Sequence, residues 1–242
     1  MTDPDAGRLF EAMDATWPAA EVRKHGAFTL RRSPGGGKRV VAASLRGCVP
    51  PSPVAVQEVA AQQSNWNQIR IFQLQPGQAA FDAQLDALGY EVVDPVTLYC
   101  CALPFECACD LPRMSALCHW PPLEVQREIW ASGGVGPDRI EVMARAAGPK
   151  ASIFGLHGDA PAGVAFVATD QDIAMVHALE VSPKFRRQGV AQRMMVGAGN
   201  WAAAQGTSHL ALAVTDANEA ANALYQSLGM RPVAQYHYRV AR

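Results

Sequence analysis

Arg186-Arg187-Gln188-Gly189-Val190-Ala191 is the stretch of this 242-residue chain whose residue types and spacing can do chemistry. It follows a run of strand character, Ile173 to Val181, and opens a run of helix character, Val190 to Gln205. The first amides of a helix have no partner within the helix and lie at the positive end of its dipole. Gly189 has no Cβ, so the backbone can approach an anion closely. The segment therefore reads as a cradle for a phosphate or pyrophosphate, with two arginines beside it. The strand before it carries two groups able to move protons. His177 has a pKa suited to that work. Glu180 points to the opposite strand face unless a bulge re-aims it.

A second cluster is weaker. Five of the six cysteines lie between Cys100 and Cys118: Cys100-Cys101, Cys107 and Cys109, and Cys118 next to His119. The gaps are not those of a zinc ribbon, and Cys100 and Cys101 sit in an apolar run. Buried thiols are the expectation, and no metal is assigned.

The elements that must position the cradle emerge from pattern. A chain with 49% hydrophobic residues can bury one large core or two small ones. Its net charge of −1 excludes generic nucleic-acid binding. No run is long and apolar enough to cross a membrane, and the acidic start lacks a signal core. A cytoplasmic protein is expected. Helices are expected over 5–16, 54–63, 78–88, 123–131, 137–146, 190–205 and 217–228. Strands are expected over 28–32, 39–45, 69–74, 90–103, 151–156, 163–168, 173–181, 209–214 and 233–240. Four prolines, at 104, 112, 121 and 122, mark 104–122 as a connector. The expected domains are 1–103, this connector and 123–242.

The halves echo each other. Ile69 to Leu74, a helix and Leu88-Gly89-Tyr90 match His209 to Val214, a helix and Leu228-Gly229-Met230, at a constant offset of 140 residues. That points to an internal repeat. Strand–helix–glycine is also common in any α/β protein.

On these residues the chain resembles the GNAT N-acetyltransferase superfamily. Val181 to Ala191 looks like its acyl-CoA motif, in which Arg or Gln is followed at three residues by Gly and at five by Gly or Ala. Asn218, Ala221, Leu224, Tyr225, Leu228 and Gly229 look like its later helix motif. The resemblance covers 120–242 and implies a mixed-sheet α/β (α+β) fold with a GNAT-like C-terminal half. The first half matches in outline, like the degenerate partner in tandem members. There the cradle position reads Arg46-Gly47-Cys48-Val49-Pro50-Pro51-Ser52-Pro53, and proline has no N–H to offer. Tyr225 and Asn218 correspond to Leu85 and Gln78. The first half is therefore expected not to bind CoA in the usual way.

The resemblance implies an N-acyltransferase moving an acetyl group from acetyl-CoA, as co-substrate, to an amine on a small molecule or peptide. Cofactor-binding residues would be Leu179, Val181, Arg186, Arg187, Gln188, Gly189, Val190, Ala191, Gln192, Asn218 and Ala221. Tyr225 would protonate the leaving thiolate, or merely pack under the CoA. The family's usual glutamate falls on Met175, which accepts no proton. His177, through water, is then the first candidate base and Glu180 the second; His177 as a core histidine is an equal alternative. A non-catalytic acyl-CoA-binding or sensor protein is the rival reading. The acceptor and the oligomeric state are not readable from the sequence.

Overall fold

The computed structural model describes residues 4–105 and 115–242. Cys107, Cys109 and Pro112 of the expected cluster and connector lie outside the described residues. In chain order the elements begin α1 (Ala6–Thr16), β1 (Glu21–His25), β2 (Phe28–Arg32), β3 (Ala43–Leu45), α2 (Pro53–Asn65), β4 (Ile71–Leu74), α3 (Ala79–Ala87) and β5 (Tyr90–Ala102). They continue β6 (Ala116–His119), α4 (Glu124–Ser132), α5 (Pro137–Arg145), β7 (Lys150–His157), β8 (Ala160–Asp170) and β9 (Ile173–Val181). The chain ends α6 (Val190–Ala204), β10 (His209–Thr215), α7 (Glu219–Ser227) and β11 (Arg231–Ala241). Strands pair in both parallel and antiparallel senses, so the fold is mixed α/β, as expected.

Two strands are additions to the expected set. β1 reads Glu-Val-Arg-Lys-His and has no apolar alternation. It forms by pairing antiparallel to β2, and its charges suit a strand at a sheet edge. β6 lies inside the proline-rich connector and pairs antiparallel with β7.

The chain forms two compact units. The first comprises Met1–Pro18, Leu98–Val214 and Glu219–Val233. The second comprises Ala19–Thr97, Thr215–Asn218 and Ala234–Arg242. β5 and β11 each pass from one unit into the other.

In the first unit the strand order is β10-β9-β8-β7-β6, with β9 and β10 parallel and the rest antiparallel. Helix α6 packs on one face. Its buried Val190, Met194, Ala198 and Ala202 recur every four residues, the spacing of one helix stripe. They meet Ile153, Ala165, Ala174 and Val176. Helices α1 and α4 pack on β8 and β9. Asp5 caps α1 by accepting a hydrogen bond from the Arg8 N–H at 2.8 Å. Arg8 donates to the Asp170 carboxylate (2.7 Å) and carbonyl (2.6 Å), which ties the start of α1 to the end of β8.

In the second unit β1, β2, β3 and β4 are followed by β11 and β5. Phe28, Phe72 and Phe81 pack with centroids 5.7–5.8 Å apart at its core. Asp82 of α3 accepts from Arg239 (2.7 Å) and His237 (2.9 Å) of β11. Partial burial works to raise the Asp82 pKa, but these hydrogen bonds outweigh it and hold the carboxyl below its usual value.

Close packing between β8, β9 and α6 depends on small residues. A Cβ on Gly163 would lie 2.8 Å from Met194 Cε and 2.9 Å from the Glu180 carbonyl oxygen. One of those neighbours is backbone, so relief requires strand movement. Gly163→Ala is expected to lower stability by about 1–3 kcal/mol. Urea unfolding checks this; an unchanged midpoint would mean that β8 and β9 separate freely.

Candidate active site

The site is built around β9. Its paired register with β10 runs from Ile173↔His209 to Val176↔Leu212, yet β9 continues to Val181. Beyond Val176 the two strands part, and β9 turns backbone groups toward the gap. On its other edge β9 carries a bulge. His177 pairs with Phe166 and Glu180 with Val164, so β9 advances three residues while β8 advances two. Ala178 takes up the extra residue at φ +48°, a left-handed conformation costly for alanine.

The bulge changes which side chains share a face. Ala174 and Val176 point into the α6 core, and past the bulge Leu179 and Val181 rejoin that face. Glu180 therefore comes onto the face of Met175 and His177. The two candidate bases meet very different surroundings there. His177 is only 5% exposed, its Nε2 lies 2.8 Å from the Thr16 hydroxyl, and its ring lies 5.0 Å from that of Trp17. Phe166 stacks on it at 6.2 Å. Met175 is wholly buried. Glu180 is partly open and accepts from Arg186 Nη2 at 3.1 Å. Its side chain lies over Gly133, at the end of α4.

Two residues that support this arrangement carry no sequence motif. Trp130 is fully buried and donates its indole N–H to the Ala178 carbonyl at 2.7 Å. Gly133 provides the space that Glu180 fills.

After β9 the chain forms the cradle. Ser182 N–H donates to the Ala162 carbonyl (2.9 Å), and a short helical turn covers Pro183–Phe185. Arg187 (φ +62°) and Gly189 (φ +76°) are both left-handed, which reverses the chain into α6. Gly189 is the helix N-cap and has no side chain over the first turn. Val190 is buried and anchors that turn, while Arg187, Gln188 and Gly189 are exposed and Ala191 and Gln192 half-buried. Arg186 Nε donates to the Val181 carbonyl at 3.1 Å, which fastens the loop to the strand end. Arg193 lies outside the motif; its Nη1 donates to the Gln188 carbonyl at 3.1 Å and braces the turn. Lys184, Arg186, Arg187 and Arg193 make the cradle strongly positive.

Tyr225 and Ala221 come from α7. The Tyr225 ring is 6% exposed and lies 6.1 Å from the Tyr99 ring; Ala221 packs against the same core. Burial pushes the Tyr225 phenol up to about 12, so it stays protonated near neutral pH. Asn218 precedes α7 and donates its N–H to the Thr215 carbonyl at 3.0 Å. Cys100 and Cys101 are buried; burial pushes the Cys101 thiol up to about 12. Among the described residues no group of three or more His, Cys, Asp or Glu side chains is set to hold a metal ion.

In the second unit the corresponding region is closed. β3 and β4 are parallel. Gln78, at Asn218's place in the offset, donates to the carbonyls of Leu45 (3.0 Å) and Gly47 (2.8 Å) and so bridges their ends. Pro53 occupies the first turn of α2, and Ser52 takes the Ala55 N–H at 3.2 Å.

The site is thus a parallel strand pair that parts beside a bulge, with a glycine cradle at its end. Residues 116–230 match the model of the acetyltransferase (GNAT) family, and this domain of the chain belongs to that family. The fold as a whole is similar to that of a GCN5-related N-acetyltransferase from Kribbella flavida. The TM-score is 0.72 at 17% identity, over 98% of this chain and 95% of that one. A conserved protein of unknown function from Staphylococcus epidermidis is similar at TM-score 0.69 and 9% identity, over 95% and 96% of the two chains. A tandem GNAT protein from the clavulanic acid biosynthesis pathway is similar at 0.61 and 14%, over 99% and 90%. No curated protein matches the chain. Among the described residues no helix is long and apolar enough to cross a membrane.

The Tyr225 phenol titrates higher in the folded protein than in the unfolded chain. The stability this contributes is complete below about pH 10 and is lost as pH rises toward about 12. Wild type is therefore expected to lose stability more steeply than Tyr225→Phe between those pH values, by a few kcal/mol. Paired urea titrations test it; parallel curves would mean that the phenol is not buried.

Proposed function

We propose that the protein is an acyl-CoA-dependent N-acyltransferase that moves an acetyl group from acetyl-CoA to a primary amine. The observation that carries this reading is the parting of β9 from β10 at Val176, directly upstream of the cradle, within a GNAT-family domain. Amides at the start of α6, from Gln188 to Gln192, would hold the pyrophosphate, with Arg186 and Arg187 adding charge. Backbone groups of Leu179 and Val181 would pair with the pantetheine arm, and a backbone N–H there would polarise the thioester carbonyl. Asn218 and Ala221 would line the arm.

Glu180 is the base in this reading. Its carboxylate is partly open, whereas His177 is enclosed by Thr16, Trp17 and Phe166. The amine attacks the thioester carbon and a C–N bond forms. Glu180 takes the ammonium proton, directly or through water. The C–S bond breaks, and Tyr225 gives its proton to the departing thiolate. A non-catalytic acyl-CoA sensor is the second reading, favoured by the buried Met175 at the position of the family's usual glutamate.

The first half is proposed to be a degenerate copy, in keeping with domains at 1–103 and 123–242. Helices α3 and α7 start and end 140 residues apart, which supports duplication. The Gln78 bridge and Pro53 leave no cradle there, so calorimetry should find one acetyl-CoA bound per chain.

Release of CoA thiol from acetyl-CoA, with a panel of polyamines, arylalkylamines, aminoglycosides and peptide N-termini, tests the enzyme. Turnover with at least one amine is expected. Tight acetyl-CoA binding without turnover of any amine would favour the sensor. Tyr225→Phe should lower kcat about 100-fold with little change in acetyl-CoA affinity. An unchanged rate would remove its role.

A further inference from the structure

The catalytic reading makes Glu180 the base, but nothing in the strand pattern alone would aim it at the cleft. Its direction comes from the Ala178 bulge, and two residues at the C-terminal end of α4 act on that bulge from one side. Trp130 donates to the bulge carbonyl at 2.7 Å. That carbonyl takes no part in the β8–β9 register, and the indole supplies a partner for it in a partly buried place. The left-handed φ of Ala178 costs about 1–2 kcal/mol. The indole bond therefore opposes a relaxation that would flatten β9 and return Glu180 to the α6 face. Three residues further along, Gly133 ends α4. A Cβ there would stand 2.6 Å from Glu180 Cγ, Cδ and Oε2. Glycine is not required by the backbone, because Gly133 sits at φ −91°, ψ 7°, outside the left-handed region that favours glycine. The Glu180 side chain itself is what requires a missing Cβ.

We infer that Trp130 and Gly133 are positioning residues for Glu180: the indole holds the bulge that turns the carboxylate to the cleft, and the bare glycine gives it its seat. This rests on the reading of Glu180 as the base. Both act through the carboxylate. α4 is accordingly part of the catalytic apparatus as well as of the core, with its buried Gln126, Ile129 and Trp130 fixing its height above the sheet.

Gly133→Ala is a clean probe, since the nearest atoms its Cβ would meet belong to a side chain able to move. The assay is CoA-thiol release with the best amine of the panel, alongside acetyl-CoA affinity by calorimetry and thermal midpoint. Gly133→Ala should lower kcat at least tenfold, with acetyl-CoA Kd within twofold and an unchanged midpoint. Glu180→Gln should lower kcat about 100-fold. The double variant should match Glu180→Gln within twofold, because a residue acting only through Glu180 has nothing left to act on once that group is gone. Trp130→Phe, which removes the donor and keeps an aromatic ring, should show the same non-additivity. Wild-type kcat in Gly133→Ala, or losses that multiply with Glu180→Gln, would overturn the positioning role and leave the base intact. Wild-type kcat in Glu180→Gln would instead overturn the base, and the inference with it. If no amine is turned over, crystals of Gly133→Ala decide. The 3.1 Å Glu180–Arg186 contact should open, and its persistence would overturn the inference.

Discussion

The hydrogen bond from the Trp130 indole to the Ala178 carbonyl is the interaction on which the site's arrangement depends. One extra residue in β9 does three things at once. It moves Leu179 and Val181 into phase with the α6 core, brings Glu180 onto the opposite face, and leaves a carbonyl outside the β8–β9 ladder. The first effect is favourable, because it buries apolar surface. The last two cost free energy unless another element supplies a partner and a seat. α4 supplies both, so sheet register and helix placement are one constraint. A change in either would be felt as a rotated carboxylate before it was felt as an unfolded domain.

Much of the fold was legible in the sequence. The cradle, its helix and the strand before it could be read because glycine, helix capping and apolar periodicity are local rules. The offset of 140 residues was legible for the same reason, and α3 and α7 each span nine residues at that spacing. β1 was not legible, since a single valine among charges has no period; only its pairing with β2 makes it a strand. β6 was masked by prolines on either side of it. In the site, Glu180 could be read only conditionally. An alternating strand puts it on the wrong face, and a bulge is decided by what packs against the strand. Trp130 and Gly133 gave no signal, because a tryptophan in an amphipathic helix and a Gly-Gly pair after it read as core and loop. Arg193 reads as one more helix cation in the sequence, and only the fold puts its guanidinium on the Gln188 carbonyl.

Each unit holds a parallel strand pair, and the two pairs end differently. In the first unit the parallel strands β9 and β10 part, and β9 leads into a glycine turn with no side-chain cap on α6. In the second, β3 and β4 are also parallel, but the Gln78 amide spans two carbonyls at their ends and Ser52 occupies an amide of α2. Hydrogen-bonding capacity that an incoming phosphate would need is already used internally. A buried glutamine so satisfied is difficult to displace, since breaking its bonds would strand both donor and acceptors. The proline run and the glutamine bridge are thus two halves of one closure, the first removing donors and the second filling the gap.

Arg186 stands at the junction of cradle and cleft, and the strengths of its bonds decide how it behaves. Its pair with Glu180 joins a guanidinium 58% exposed to a carboxylate 21% exposed. An ion pair so open to water contributes little, about 0–1 kcal/mol, and is screened by salt. It cannot be what aims Glu180, and an anion arriving in the cradle can draw Arg186 away at small cost. The carboxylate would keep its direction, because that direction comes from the Ala178 backbone and the bare Gly133, neither of which an exposed arginine controls. Charge at the cradle and the direction of the Glu180 carboxylate are therefore held by separate means. An anion that drew Arg186 away would leave the direction of the Glu180 carboxylate unchanged.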